Sequence, residues 1–456
     1  MENLPAQILT WNIYKKIALR FAFIFFILFI VLLDWSVNPV FEYFYYEGNL
    51  AWFLDGVISW VGNNLFHISY TIISPYDGQH NDRTYIYLLY FTMAAIAIIG
   101  TIVWSVLDRK RINYETLYYW LTVIIRYYLA FTLFLFALEK FFKMQFPDLG
   151  LYTLTETVGN LTPMSLAWAF FGYSYGYNIF IGIAESAALL LLFRRTMIVG
   201  ALLTLGTLLN VMMVNFNYDV HAKMYPTALF VMTFFLLLPF INRLFKFFFT
   251  HQATSLPPIQ APVFKKRWMQ ISKSVVKFLF IGCSLIFLVK NYFGYKHRND
   301  EREISRAQSG ISGVFDIESF VVDKDTLSSE NPLRWSQIII GGKRERIRLQ
   351  GDSIVYMFVS LESKELLMYP SQNNLSINEQ LIFSEYGYDE STYIKVDSIL
   401  IARQVLSPFQ FEVSDSIVLK LRGKIKNDSV FITAKRRPIE IKDFRLIKND
   451  FHWVTE

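Results

Sequence analysis

Two charged residues lie deep inside apolar segments of this chain. Arg126 is part of "YWLTVIIRYYLAF" and Glu185 is part of "FIGIAESAALLLLF". At ~1.5 Å per helical residue, both lie roughly 12–14 Å from the cytoplasmic ends of their predicted helices. A lone charge in hydrocarbon costs about 2.5–3.5 kcal/mol, so we expect Arg126 and Glu185 to face one another. Such a pair either holds two helices together or belongs to a site for a substrate, a proton or a ligand.

A second group of polar residues interrupts the apolar sequence in "LLNVMMVNFNYDVHAKMYP". The ends of neighbouring helices add a glutamate, a lysine and three tyrosines, so the sequence predicts a polar mouth at the outer membrane surface. Its predicted members are Glu139, Lys140, Tyr173, Tyr175, Tyr177, Asn210, Asn215, Asp219, His221 and Lys223. The group is either a solvated turn with interfacial aromatic residues or a binding mouth for a small molecule or a lipid headgroup.

Specific contacts are expected within this polar group. Asp219 should accept a hydrogen bond or an ion pair, because unpaired polar groups at the edge of lipid are costly. Lys223 or Lys140 should therefore lie within reach of Glu139 or Asp219. Asn210 lies deeper in its helix, where an interhelical hydrogen bond is favoured over a role in the mouth.

The sequence contains no recognisable catalytic signature. It has no phosphate-binding loop, no GxSxG or HExxH motif, and no dinucleotide fingerprint that follows a strand. The chain has one cysteine, Cys283, which excludes an internal disulfide and a thiolate metal cluster. No two of the histidines lie within one span at ligand spacing, which gives little support for haem between helices. No catalytic residue and no metal site are predicted.

The elements that position these residues are membrane helices. The 456 residues are 54% hydrophobic and only 18% charged, so part of the chain lies in lipid. Two shorter segments, 51–66 and 161–171, are either interfacial or inserted. Seven apolar runs are long enough to cross about 30 Å of hydrocarbon: Ile17–Leu33, Tyr85–Leu107, Leu117–Phe142, Tyr177–Phe193, Met197–Phe216, Met224–Phe247 and Lys273–Val289.

Charge distribution predicts the orientation. Basic residues flank the first run, and the basic loops "DRKR" (108–111) and "RR" (194–195) recur on the same side of a seven-span topology. The N-terminus is therefore predicted to be cytoplasmic and the C-terminal region extracytoplasmic, in a bacterial inner membrane. The net charge of +6 is explained by this topology, and binding to nucleic acid is not expected.

The C-terminal region has the pattern of a water-soluble β domain. Segments such as "SIVYMFVSL" and "QFEVSDSIVLKLRG" alternate apolar and polar residues, which is typical of a sandwich or barrel. "GKIKNDSVFITAKR" predicts a hairpin that turns at Asn427–Asp428. The sequence thus predicts a multi-pass α-helical membrane protein with a C-terminal all-β domain, divided as 1–116, 117–247, 248–295 and 296–456.

The segment from Leu117 to Phe247 resembles the DoxX-like family of four-helix membrane proteins. The resemblance lies in the small-residue helix with Glu185, the short "FRRT" turn, the helix that contains Asn210, and the polar "NFNYDVHAK" turn. It implies a membrane accessory protein that binds a quinone or a similar apolar molecule in support of a redox or envelope-maintenance system. Two other functions remain open: a transporter for a small solute or proton, and a scaffold whose β domain (296–456) recruits an extracytoplasmic protein.

Overall fold

The structure is a computed structural model that describes most of the chain. Before residue 257, the structure describes residues 10–33, 50–70, 72, 82 and 84–256. The C-terminal part is described at 311–331, 334–340, 345–350, 354–360, 365–368, 409–415, 417–425 and 428–439, with scattered positions at 268–304 and 442–447.

The first half of the described chain is helical. Its α-helices are α1 (Ile13–Leu32), α2 (Leu50–Leu65), α3 (Thr84–Leu107), α4 (Glu115–Phe141), α5 (Leu151–Thr155), α6 (Pro163–Tyr173), α7 (Tyr175–Ser186), α8 (Met197–Asn217), α9 (Met224–Leu237) and α10 (Ile241–Phe249). Three short 3₁₀ segments accompany them, at Val158–Asn160, Ala187–Leu192 and Leu238–Phe240.

Five helical stretches among the described residues are long and apolar enough to cross a membrane. They are Thr84–Leu107, Glu115–Phe141, Tyr175–Leu192, Met197–Asn217 and Met224–Phe249. The chain is therefore a membrane protein with several apolar helices. The count of seven spans stays a prediction, because α1, which covers the predicted span Ile17–Leu33, is not among these five, and about half of the last predicted span, Lys273–Val289, lies outside the described residues.

The chain forms two compact units. The first, called the membrane unit below, consists of Met1–Phe142 and Asn178–Tyr292. The second, called the β unit, consists of Lys143–Tyr177 and Phe293–Glu456. The sequence places 143–177 inside the predicted helical bundle 117–247, whereas the structure groups this insert with the C-terminal region.

In the membrane unit, α4 is the central helix. Of its most apolar stretch, 67% is buried, against 28% to 39% in the four other candidate spans. Leu121, Ile125 and Leu129 are completely buried along one side of α4. α1 packs against α3, and α9 packs against α8. These helices therefore bury their apolar faces around α4.

The described residues of the β unit form an antiparallel sheet of nine strands. They are β1 (Gly313–Val322), β2 (Asp325–Thr326), β3 (Trp335–Ile340), β4 (Glu345–Leu349), β5 (Ile354–Ser360), β6 (Glu365–Met368), β7 (Phe409–Ser414), β8 (Val418–Ile425) and β9 (Asp428–Arg436). β1 pairs with β3 on one side and with β9 on the other, so eight strands close into a ring and β2 adds to β1. Phe315, Ile338 and Leu419 are fully buried in its core.

The predicted hairpin between the last two strands is present, with its turn shifted. Ile425 pairs with Asp428, so the connecting residues are 426–427 and not the predicted Asn427–Asp428. Asp428 is the first residue of β9, since its backbone continues the ladder that begins with Ile425. The alternation of apolar and polar residues predicts the strands, but the exact register depends on the pairing.

The insert 143–177 is held to the sheet by α5. Leu151 is buried against Val314 of β1 and Ile339 of β3. The Arg346 guanidinium lies 3.0 Å from the centre of the Tyr152 ring, and Arg348 forms an ion pair with Glu156 at 3.0 Å. Apolar packing, a cation–π contact and an ion pair together explain why this insert belongs to the β unit.

Candidate functional site

The buried charge in α7 is Glu185, which is 2% exposed. Its Oε1 forms an ion pair at 2.9 Å with Nζ of Lys140, in the last turn of α4. Lys140 is itself 5% exposed, and its ammonium lies 5.3 Å from the centre of the Phe136 ring. Oε2 of Glu185 is buried without a hydrogen-bond partner among the described residues. This site, defined by Lys140 and Glu185, is called the Lys140–Glu185 pair below.

The predicted pair between Arg126 and Glu185 is wrong. Arg126 is buried, but its Nε donates a hydrogen bond of 2.6 Å to the carbonyl oxygen of Leu191. That carbonyl lies near the end of the 3₁₀ segment Ala187–Leu192, where backbone acceptors lack helical partners. A basic side chain can donate a hydrogen bond to a carbonyl oxygen at such a helix end. Arg126 therefore caps this segment instead of neutralising Glu185.

The 3₁₀ segment accounts for a small part of the error in the predicted depth of Glu185. A 3₁₀ helix rises ~2.0 Å per residue, whereas the sequence estimate used ~1.5 Å for all residues after Glu185. The six residues of the 3₁₀ segment therefore lengthen this part of the span by ~3 Å. Glu185 lies that much further from the cytoplasmic end of its helix than expected. Lys140 lies 14 residues beyond Arg126 in α4, ~21 Å along the helix axis, so the larger part of the error is that Arg126 lies opposite Leu191 and not opposite Glu185.

Glu185 shares one face of α7 with two other residues. Asn178, Gly182 and Glu185 follow one another at helical spacing, and all three are buried. A Cβ atom at Gly182 would lie 2.6 Å from the Phe141 ring, so glycine permits this close approach of α4 and α7. The hydroxyl of Ser186, next to Glu185, is also buried without a partner among the described residues.

The turn after α8 contains the predicted ion pair. Nζ of Lys223 lies 3.0 Å from Oδ1 of Asp219, as expected. Asp219 has a positive φ of 50°, a conformation that Asp adopts more readily than most residues. Asn215 donates from Nδ2 to the carbonyl oxygen of Ala222 at 2.8 Å, which closes the turn on itself.

Sequence reasoning missed the residue that anchors this turn. Asp82 accepts hydrogen bonds from the backbone N–H groups of Lys223, at 2.5 Å, and Met224, at 2.9 Å. Its own backbone N–H donates to the carbonyl oxygen of His221 at 2.9 Å. Asp82 thus caps the start of α9 from a distant part of the chain, a role without a local sequence signal.

Asp219 behaves as an exposed member of a structured turn. Its side chain is 70% exposed. The hydrogen bond and the charge of Lys223 lower the pKa of Asp219, against a small opposing effect of desolvation. The contacts of Asn215, Asp219 and Lys223 are those of a capped turn, which supports the structural interpretation of this polar group.

The other predicted members of the mouth are spread over both units. Tyr173, Tyr175 and Tyr177 belong to the β unit, where the Tyr177 ring stacks on Phe171 with centroids 6.1 Å apart. Asn210 is exposed on α8 and forms no interhelical hydrogen bond with the described residues, contrary to the expectation. Glu139 is half-buried near the end of α4 and His221 is exposed.

A further buried cation lies outside all sequence-predicted sites. Arg20 of α1 is 2% exposed and donates to the hydroxyl of Tyr114 from Nη2 at 2.7 Å and to Oγ of Ser105 from Nη1 at 2.7 Å. Tyr114 donates in turn to Asp108 at 2.8 Å, which lowers the pKa of that carboxyl group. All these donors have acceptors, so the Arg20 cluster ties α1 to the α3–α4 connection.

The described residues contain no group of three or more His, Cys, Asp or Glu side chains that could hold a metal ion. The fold and the Lys140–Glu185 pair thus define a multi-helix membrane protein with a buried ionisable site and an antiparallel β unit.

Comparison with known proteins gives one informative match. The chain is 36% identical over 113 residues to the uncharacterized protein YwoB of Bacillus subtilis, and the match covers 25% of this chain and 71% of YwoB. The chain belongs to the family of YwoB. No family model matches it, and no solved structure matches it.

Proposed function

We propose that this protein binds a small apolar molecule with a polar headgroup, of the quinone or quinol class, at the Lys140–Glu185 pair. The supporting observation is the Glu185 carboxylate, which is buried with Oε1 paired to Lys140 and Oε2 without a partner among the described residues. An ionisable residue inside a membrane protein most often marks a ligand or proton pathway.

The energetic argument concerns the second carboxylate oxygen. A buried acceptor without a hydrogen bond costs about 1–3 kcal/mol, because water is lost and nothing replaces it. A hydroxyl donor on a bound molecule removes that cost. Glu185 therefore suits a ligand with a hydroxyl group, such as a quinol.

The neighbouring groups complement the rest of such a headgroup. The positive charge of the Lys140 ammonium, which holds Oε1 of Glu185, suits the partial negative charge of a ring carbonyl. Phe136 and Phe141 lie beside Lys140 and Gly182 and offer apolar ring surface. The resemblance to the DoxX-like family points to the same ligand class, and the accessory role in a redox or envelope-maintenance system rests on that resemblance.

The test is to measure which quinones remain bound to the purified protein. Wild-type protein and a Glu185→Gln variant are purified in mild detergent, extracted with organic solvent and analysed by mass spectrometry. We expect quinone or quinol to co-purify with wild type and to be at least tenfold depleted in Glu185→Gln. The Asp219→Asn variant is the matched control, since it alters an exposed carboxylate of the same unit.

Other outcomes separate the remaining functions. Equal retention by wild type and Glu185→Gln would reject the site. Proton or solute flux into vesicles that depends on Glu185, in the absence of quinone, would favour a transporter. A protein that co-purifies in stoichiometric amount and is lost when the β unit is altered would favour a scaffold.

A further inference from the structure

A long uncharged stretch connects the two units. No Asp, Glu, Lys, Arg or His occurs from residue 157 to residue 184, between Glu156 of the insert and Glu185 of α7. α6 lies within this stretch and has 11 residues, which span ~16 Å at ~1.5 Å each. This is about half of the ~30 Å needed to cross a bilayer, so α6 is not a transmembrane helix.

α6 has two distinct faces. Ala167 and Gly172 are buried, whereas Leu166 is 44% and Phe170 is 63% exposed. Leu166 and Phe170 are four residues apart and therefore share one face of the helix. The exposed face is apolar, and the chain offers no charge in this stretch to solvate it.

The buried face fixes α6 to the residues that directly follow α4. Phe146 contacts the rings of Trp168 and Phe171, with centroids 5.2 and 4.7 Å apart. A Cβ atom at Gly172 would lie 2.5 Å from the Pro147 carbonyl oxygen, so α6 and this segment touch at the backbone. Lys143 donates from Nζ to the Gly172 carbonyl oxygen at 2.8 Å.

The residue that hydrogen-bonds to α6, Lys143, and the residue that follows α6, Ser174, both lie close in sequence to membrane spans. Lys143 is two residues beyond the end of α4, and Ser174 alone separates α6 from α7. By chain connection, α6 therefore directly precedes the start of the α7 span. Tyr175 and Tyr177, both partly exposed, follow it at the position where aromatic residues favour the membrane interface.

We propose that α6 is an interfacial helix that inserts its Leu166–Phe170 face among the acyl chains of the bilayer that holds α4 and α7. The bilayer is the occupant because Ser174 alone separates the C-terminal end of α6 from the α7 span, and because an uncharged apolar face matches lipid. This surface is independent of the Lys140–Glu185 pair.

The test uses fluorescent labels on the full-length protein in vesicles of phosphatidylcholine and phosphatidylglycerol. Phe170→Cys is made in a Cys283→Ser background and labelled with an environment-sensitive nitrobenzoxadiazole dye. We expect emission at shorter wavelength than in water, strong quenching by nitroxide-labelled lipid, and weak quenching by aqueous iodide. Leu166→Cys, on the same face, should behave in the same way and provides a second variant should one fail to fold.

Ile417→Cys is the control, because Ile417 is 49% exposed in the β unit and lies outside the uncharged stretch. Its label should be quenched by iodide and not by the nitroxide lipid. The proposal is overturned if iodide quenches the labels at 166 and 170 as strongly as the label at 417. It is also overturned if those labels escape both quenchers and their emission changes when the protein is diluted in lipid, since a second copy would then cover this face.

Discussion

Among the described residues, each unit contains one buried glutamate paired with a cation, and the two environments differ in their donors. Glu156 of the β unit accepts hydrogen bonds on Oε1 from the Thr157 backbone N–H and Asn160 Nδ2, and Oε2 accepts from Arg348. Glu185 of the membrane unit has Lys140 on Oε1 and no partner on Oε2 among the described residues. The first carboxylate is satisfied and the second is not.

This difference separates a structural contact from a candidate site. A buried charge that is fully hydrogen-bonded fixes a local structure and has no free capacity for a ligand. Glu156 therefore holds the insert 143–177 on the sheet, together with the contact of Arg346 and Tyr152. Glu185 keeps an acceptor that a ligand or a proton can use, which is why the function is proposed there.

The largest expected effect is at Glu156. Glu156→Leu should destabilise the protein by about 3 kcal/mol, because Arg348 cannot lose its charge and is left without its partner. The Thr157 N–H and Asn160 Nδ2 lose their acceptor in the same change. Thermal unfolding in detergent, followed by near-ultraviolet circular dichroism, measures the loss. A loss no larger than that of an exposed substitution such as Ile417→Ser would remove the structural role of this contact.

A smaller effect is expected at the Lys140–Glu185 pair. Glu185→Leu should cost about 1–2 kcal/mol, because it removes one ion-pair hydrogen bond and also removes an unsatisfied acceptor. The double variant Lys140→Met/Glu185→Leu should recover most of that stability, since apolar replacements of a buried ion pair are often neutral.

A double-mutant cycle of melting curves measures the coupling within this pair. Arg126→Met combined with Glu185→Leu is the matched control, and its losses should add because Arg126 caps Leu191. Additive losses for Lys140 and Glu185, or coupling of Arg126 with Glu185, would contradict the assigned partners.

The smallest effect is expected at the exposed Asp219. Lys223 lowers the pKa of Asp219 in the folded protein. The ionised carboxylate therefore stabilises the fold at pH values above its unfolded pKa of about 3.9. This stabilisation is lost as the pH falls through the folded pKa. Asp219→Asn should therefore lower the melting temperature slightly at pH 7, and the difference from wild type should shrink and disappear as the pH falls through the lowered folded pKa of Asp219. A difference that grows on acidification would reverse the assigned direction.

The sequence determined the elements whose signals are local. The apolar runs at Tyr85–Leu107 and Met197–Phe216 predict α3 and α8 to within a few residues, because lipid selects long uncharged helices. Period-two alternation indicates the strands around Ile354 and Val418, since successive side chains of a strand point to opposite faces. The ion pair of Asp219 and Lys223 is also local, because the two residues are four positions apart.

Only the tertiary structure decided which distant residues meet. Glu185 pairs with Lys140 because α7 approaches α4 closely where Gly182 meets the Phe141 ring, a contact between distant segments that hydropathy does not encode. The insert 143–177 joins the sheet because Arg348 and Glu156 meet across 192 positions of sequence. Asp82 caps α9 from 141 residues away, since a capping carboxylate needs only proximity to free N–H groups and no particular sequence separation.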